Sequence, residues 1–445
     1  MKIKIIVSAL GFLALASTSA FAGSNNSVDV SQTGSTNTVN VDQAGTIADA
    51  VTINQSTGGN RATVTEFTSN TNKVYIEQKY NDRATVSTTG GALNDTTIKQ
   101  SPIDVGSVAT VNQTDEVRNK VSISQAGGWG NSSTTIDSKA GHGNTTTIYQ
   151  EGPNTISVMQ NVASDNTTSI YQARSGTLFS ASADVDQNGS NRNTLDLTQK
   201  SDGSRAYVTQ TGSNDNFTTI DQAAQGTATV LQTNSDRNTI DLQQKFGAPG
   251  QSVSVSQVGS ADNTTKVLQS AGLDKATVTA FNAHNGKVSI QQSGAQTTAS
   301  VAQTNETSST ATVWQGGGFI GNVATLRQSS GSANSINLTQ TLVGSGKQNQ
   351  ASLTQEASVG SKMDVTQSGA SSQITAYQTG VEESLLASQN DIGNTLTASQ
   401  SGYHNYAQSM QYGSANVATI TQAGSSNSAV VYQKGNGNVA SIAQR

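Results

Sequence analysis

Three histidines, His142, His284 and His404, are the natural starting point for metal or acid–base chemistry in this chain. They stand far apart in stretches that read as turns, so no ligand set or proton relay is spaced for. Asp and Glu are scattered, with no pair placed as acid and base. No Ser sits in a Gly-x-Ser-x-Gly setting with a His partner. Gly316, Gly317 and Gly318 lack the lysine and the strand-to-helix context of a phosphate loop. Cysteine is absent, which removes disulfides and thiolate metal sites. No catalytic, cofactor-binding or metal-binding residue is therefore expected. The chemistry left is that of the carboxamide, which both donates and accepts and can hydrogen-bond to copies of itself. A Gln returns about every 11 to 12 residues along the chain, and it arrives with its neighbourhood.

The unit is Asn, any residue, a small or β-branched residue, any residue, Val or Ile, any residue, Gln. It reads NSVDVSQ from Asn26 to Gln32, NTVNVDQ from Asn37 to Gln43, NVATITQ from Asn416 to Gln422 and NVASIAQ from Asn438 to Gln444. About 36 copies can be counted, some degenerate. A fixed short period means stacked units rather than a globular domain with a pocket. Asn, the two apolar slots and Gln share parity, and in a strand residues two apart point to one side. The intervening Thr, Ser, Asp, Lys and Tyr face the other side. Alternation of period two with β-branched enrichment predicts strands.

A Gly often follows two residues after the Gln, as at Gly34, Gly45, Gly402, Gly413, Gly424 and Gly435. It permits positive φ and a tight turn. The expected fold is all-β: a β-solenoid of strand-turn-strand repeats, about 18 coils, amyloid-like. The inward amides are expected to stack as ladders, each carboxamide bonding above and below. The ladder residues are Asn26, Gln32, Asn37, Gln43, Gln400, Asn405, Gln411, Asn416, Gln422, Asn427, Gln433, Asn438 and Gln444. The alternative for any one Asn is a turn marker. Glu66, Thr88, Ser138 and Ala280 replace the Gln. Pro102, Pro153 and Pro249 all fall between units, where no ladder N–H is needed.

Composition agrees. Hydrophobic residues are 33%, aromatics 4% and charged residues 12%, too few for an ordinary core and too few charges for a repulsion-driven disordered chain. Net charge is −5, with no basic run for nucleic acid. Lys2 and Lys4, an apolar run from Ile5 to Ala16 and Ala20-Phe21-Ala22 read as a secretory leader. The run is too short for a comfortable span, and no later stretch is expected to enter a membrane. The domains are thus 1–22, a signal peptide, and 23–445, a repeat array. The array is looser over 23–377, where Gln172 to Gln187 and Gln340 to Gln355 each span 15 residues. It is most regular over 378–445, where the spacing is 11 each time.

The segment Gln411-Tyr412-Gly413-Ser414-Ala415-Asn416-Val417-Ala418-Thr419-Ile420-Thr421-Gln422 resembles a curlin repeat, as does Gln433 to Gln444 with Gly435, Asn438 and Ala440. Curlins are the subunits of curli amyloid fibres. The resemblance implies a secreted structural subunit that polymerises into extracellular fibres at the bacterial cell surface, for adhesion and biofilm matrix. It implies as partners further copies of the chain, other curlin-like subunits and an outer-membrane export pore. The chain departs from the family in its greater length and in lacking a Gly-rich leader before Asn26. Physically, no divergent unit covers the first repeat at Asn26 or the last at Gln444, so each end is expected to template another chain. The alternatives are a monomeric surface adhesin and a fibre nucleator or accessory subunit. A carbohydrate-active β-helix would need clustered carboxylates, and an ice-binding solenoid a sustained Thr-x-Thr file. Outward Tyr149, Tyr171, Trp314, Tyr377 and Tyr432 either pack between neighbouring coils or make lateral contacts.

Overall fold

The structure is a computed structural model. It describes residues 2–8, 15–21, 24–101, 106–126, 131–173, 180–201, 203–245, 249–318, 321–343 and 347–445, with side chains from 24 onward. Pro102, Gly127, the Ala22–Gly23 junction and 9–14 of the leader lie outside the described residues.

Strands form where the sequence alternates. Among the described residues there are 38 strands, and 36 of them follow in order from Ser27–Thr33 to Val439–Gln444. Among the described residues there is no helix. Their burial alternates residue by residue, as in Ser27–Thr33 and Thr38–Ala44. β-branched side chains fit this half-buried pleat, whereas a helix would spread the same residues around its circumference.

The chain divides into two units, Met1–Gln222 and Ala223–Arg445. In each, successive strands alternate between two sheets and every strand pairs in parallel with the next but one. Two strands therefore make one turn of a β-solenoid. In the first unit Ser27–Thr33 pairs with Ala50–Gln55, and Thr38–Ala44 with Arg61–Phe67. In the second, Ser384–Ile392 pairs with Tyr406–Tyr412, and Thr395–Tyr403 with Val417–Ser425. Parallel pairing places like residue on like, because each register step is one whole turn. Val30, Ile53, Ile76, Ile98 and Ile123 thus form one buried file, and Val41, Val64, Val86 and Val111 another. Each such side chain contributes about 1.5–3 kcal/mol by leaving water. One narrow apolar seam therefore supports a chain that is otherwise polar.

Register survives irregular spacing. Parts of both 15-residue spans, 174–179 and 344–346, lie outside the described residues. The glutamines flanking them still pair one turn on: Gln172 with Gln199, and Gln340 with Gln367. Pro153 and Pro249 fall between strands. Lys2–Ser8 and Leu15–Phe21, which the sequence assigns to a leader, are strands paired in parallel with Ser27–Thr33 and Thr38–Ala44.

Candidate assembly site: the buried amide ladders

Most strands end by pointing a Gln inward at a corner between the sheets, and parallel stacking sets successive Gln one above another. In the first sheet of the N-terminal unit Gln32 Nε2 donates to Gln55 Oε1 at 2.8 Å, and Gln55 to Gln78 at 2.8 Å. In the second sheet Gln43 donates to Glu66 instead, at 2.6 Å. In the C-terminal unit two ladders run side by side. One is Gln389 to Gln411 at 2.8 Å and Gln411 to Gln433 at 2.9 Å. The other is Gln378 to Gln400 at 2.8 Å, Gln400 to Gln422 at 2.9 Å and Gln422 to Gln444 at 2.8 Å.

The second N–H of each amide crosses to the opposite sheet. Gln411 Nε2 donates to the carbonyl of Thr395 at 3.1 Å, Gln422 to that of Tyr406 at 2.9 Å and Gln433 to that of Val417 at 2.9 Å. One side chain thus ties a turn to the next and one sheet to the other. With Gln400, Gln411 and Gln422 at most 1% exposed, these bonds are what make burial of a primary amide tolerable.

The asparagines stack amide to amide in part, as Asn438 Nδ2 donates to Asn416 Oδ1 at 2.9 Å and Asn60 Nδ2 to Asn37 Oδ1 at 3.2 Å, and they bond to the backbone as well. Asn416 Oδ1 accepts the backbone N–H of Asn438 at 3.0 Å, while its Nδ2 donates to the carbonyls of Tyr412 and Gly435 at 3.1 and 2.9 Å. Asn405 does the same, accepting from Asn427 N at 3.0 Å and donating to Ser401 and Gly424. Asn427 Nδ2 reaches Ala423 O at 2.7 Å and Asn438 Nδ2 reaches Lys434 O at 3.2 Å. Asn37 donates to Thr33 and Thr57 carbonyls and accepts from Asn60 N, and Asn26 accepts from Asp49 N at 3.1 Å. Most of these Asn clamp their own turn, and Asn26, Asn37, Asn405 and Asn416 also hold the backbone of the next. The reason is reach: one methylene fewer than Gln keeps the amide beside the main chain.

The glycines differ in how tightly they are held. Gly402 has φ +123 and a Cβ there would sit 1.9 Å from the carbonyl oxygen of Gly424; at Gly413 the corresponding clash is 2.3 Å, with Gly435 O. Gly34, φ +101, would meet Thr57 O at 2.2 Å. Gly45, φ +69, has nothing nearer than Thr68 Cγ2 at 3.5 Å, and Gly424 and Gly435 are similarly open. Gly402→Ala is therefore expected to destabilise by more than about 2 kcal/mol and Gly45→Ala by about 1 kcal/mol. Denaturant midpoints of the two variants check the order; equal shifts would mean that the stacked carbonyls yield.

Carboxyl groups inside the array were not singled out as a group from the sequence. Asp49, Asp82, Asp274 and Glu383 occupy the Asn slot, six residues before the Gln slot, and all are fully buried. Their place in the register is the signal that could have found them. Burial raises Asp49 and Glu383 above the usual carboxylate range and pushes Asp274 up to about 6. Glu66, in a Gln slot, is pushed by burial up to about 8. Glu116 and Glu306, in turns, are raised for the same reason.

Among outward residues, Tyr149 and Tyr171 stack across one turn with centroids 5.1 Å apart, and Tyr377 Oη donates to Glu356 at 3.3 Å. Neighbouring coils use these rings for mutual packing. His142 lies by Arg118 and Asp165, and His404 by Glu382. Among the described residues no three His, Asp or Glu converge on a common centre.

Parallel strands, two per turn, with polar ladders inside define a β-solenoid. The model of the curlin-associated repeat matches residues 393–424 and 413–445. The C-terminal segment 393–445 is thus similar to the curlin-associated repeat. No curated protein matches it at a significant level.

Proposed function

We propose that the chain is a secreted structural subunit that polymerises into curli-type extracellular fibres serving adhesion and biofilm matrix. The supporting observation is the identity of successive turns. Strand Val439–Gln444 lies in register on Val417–Ser425, and offers onward the same Ala, Ile and Gln that it receives. Ala418, Ile420 and Gln422 are at most 1% exposed, whereas Ala440, Ile442 and Gln444 are half-covered. With Ser27–Thr33 of another copy, freed of its leader, set on Ser428–Lys434, its Thr38–Ala44 would complete that burial. Other curlin-like subunits could dock by the same rule, and an outer-membrane pore is the export route that the family resemblance implies. A monomeric adhesin would use the same fold without end-to-end growth.

Purified chain from residue 23 onward is expected to form fibres at micromolar concentration without cofactor or energy source. Their diffraction should show the strand spacing of about 4.7–4.8 Å along the fibre axis. A monomer stable in solution for days would overturn the proposal and favour the adhesin.

A further inference from the structure

Glu66 interrupts the second-sheet ladder of the N-terminal unit. It sits in register between Gln43 and Thr88, fully buried. Gln43 donates to its Oε2 at 2.6 Å, and its Oε1 has no partner. The other buried carboxyl at this corner is Asp49, which receives Ser69 Oγ at 2.6 Å and Asn72 N at 2.8 Å.

The surroundings hold no counter-ion for Glu66. The adjacent strands Thr38–Ala44 and Arg83–Thr89 present Val39, Val41, Gln43, Ala84, Val86 and Thr88 inward. The facing strands Ala50–Gln55 and Lys73–Gln78 present only Val, Ile and Gln inward. Asp42, Arg61, Lys73, Glu77 and Arg83 belong to the outward, solvent-facing set. The buried charge-bearing group that acts on it is another acid, Asp49 at the same corner; Asp82, in the turn before Arg83, is a further buried acid. An ionised Glu66 would thus be a buried charge with one neutral donor and a like-signed neighbour, whereas a protonated carboxyl has the shape and hydrogen-bonding duality of the Gln it replaces.

We propose that the Asp49–Glu66 corner is a proton-operated lock, closing the N-terminal turns when the carboxyl in the Gln slot carries its proton and loosening them when it does not. The lock acts on the fold of each chain and is independent of whether chains polymerise. Its direction follows from linkage. Burial holds the folded-state value near 8 against an ordinary value of 4.5. The stabilisation is therefore complete below the ordinary value and lost as pH rises through about 8. Asp49, raised in the same direction, adds to the effect.

Hydrogen exchange of the full chain, read peptide by peptide from below the ordinary value of 4.5 to above about 8 and corrected for intrinsic exchange, tests this. In the native chain, protection across 38–44, 61–67 and 83–89 should fall by up to about tenfold per pH unit between the ordinary value of 4.5 and about 8, and level off above that. Glu66→Gln restores the amide and should hold protection constant there. Strands Thr395–Tyr403 and Val417–Ser425 serve as an internal reference in both proteins. Asp49→Asn should retain the native chain's dependence with a shallower approach to it. Equal pH dependence in the native chain and Glu66→Gln would overturn the proposal, as would a loss of protection no larger at this corner than in the reference strands.

Discussion

Simultaneous replacement of Gln411, Gln422 and Gln433 by alanine is expected to unravel the C-terminal turns and to abolish or drastically slow fibre formation. Each of these amides is 0–5% exposed; Gln411 and Gln422 each serve three partners and Gln433 two. Loss of Gln411 alone leaves Gln389 Nε2 without its acceptor, Gln433 Oε1 without its donor and the Thr395 carbonyl uncovered. An unsatisfied buried polar group costs about 1–3 kcal/mol, and the vacated volume adds to it. Three such sites in adjacent turns therefore approach the whole stability of a typical domain, about 5–15 kcal/mol.

Thr421→Ala with Lys434→Ala is the matched control, because both side chains are exposed. Ser409 does not belong with them. It is 1% exposed, in the inward file between Ala387 and Val431. Thioflavin kinetics and circular dichroism of the two multiple mutants decide the matter: equal effects would mean that the amide ladder does not carry the fold.

The second large effect concerns where growth begins. A peptide covering 400–445 is expected to form fibres alone and to seed the full chain, whereas 160–205 should do so poorly. In the C-terminal segment every ladder bond spans 22 residues, as in Gln400 to Gln422 and Gln411 to Gln433. The turns are alike, so one register is strongly preferred. In the middle the spans vary: Gln150 to Gln172 covers 22 residues, Gln160 to Gln187 covers 27 and Gln187 to Gln210 covers 23. Loops of unequal length must be closed before those strands meet, which slows a pairing made of non-local contacts. Lag times with and without each preformed seed provide the measurement. A middle peptide that seeds as well as the C-terminal one would dissociate nucleation from regular spacing.

Much of this was legible in the chain. The strands, their inward parity and the Val, Ile and Gln files follow from a period of two, which is a property of neighbouring residues and needs no partner to be read. The same register, carried across Glu66, Thr88, Ser138 and Ala280, places all four in the Gln file, where the pairing with Gln43, Gln113, Gln160 and Gln257 puts them.

What the sequence could not settle is most of what depends on which residue lies across a gap of a turn. Two units per coil already imply that a Gln meets the next but one, and alternation between two sheets shows this as two ladders; the bonds each amide makes beyond its ladder were not legible. The cross-sheet bond from Gln422 to the Tyr406 carbonyl, the double role of Asn416, and the difference between Gly402 and Gly45 all arise from contacts between turns. The same holds for the chemistry of the acids. As letters, Asp49 and Glu66 look like scattered surface charge. Only the closed coil removes water from them, and it is that desolvation, a property of the three-dimensional surroundings and not of the residue, that turns two ordinary carboxyls into proton-binding parts of the core.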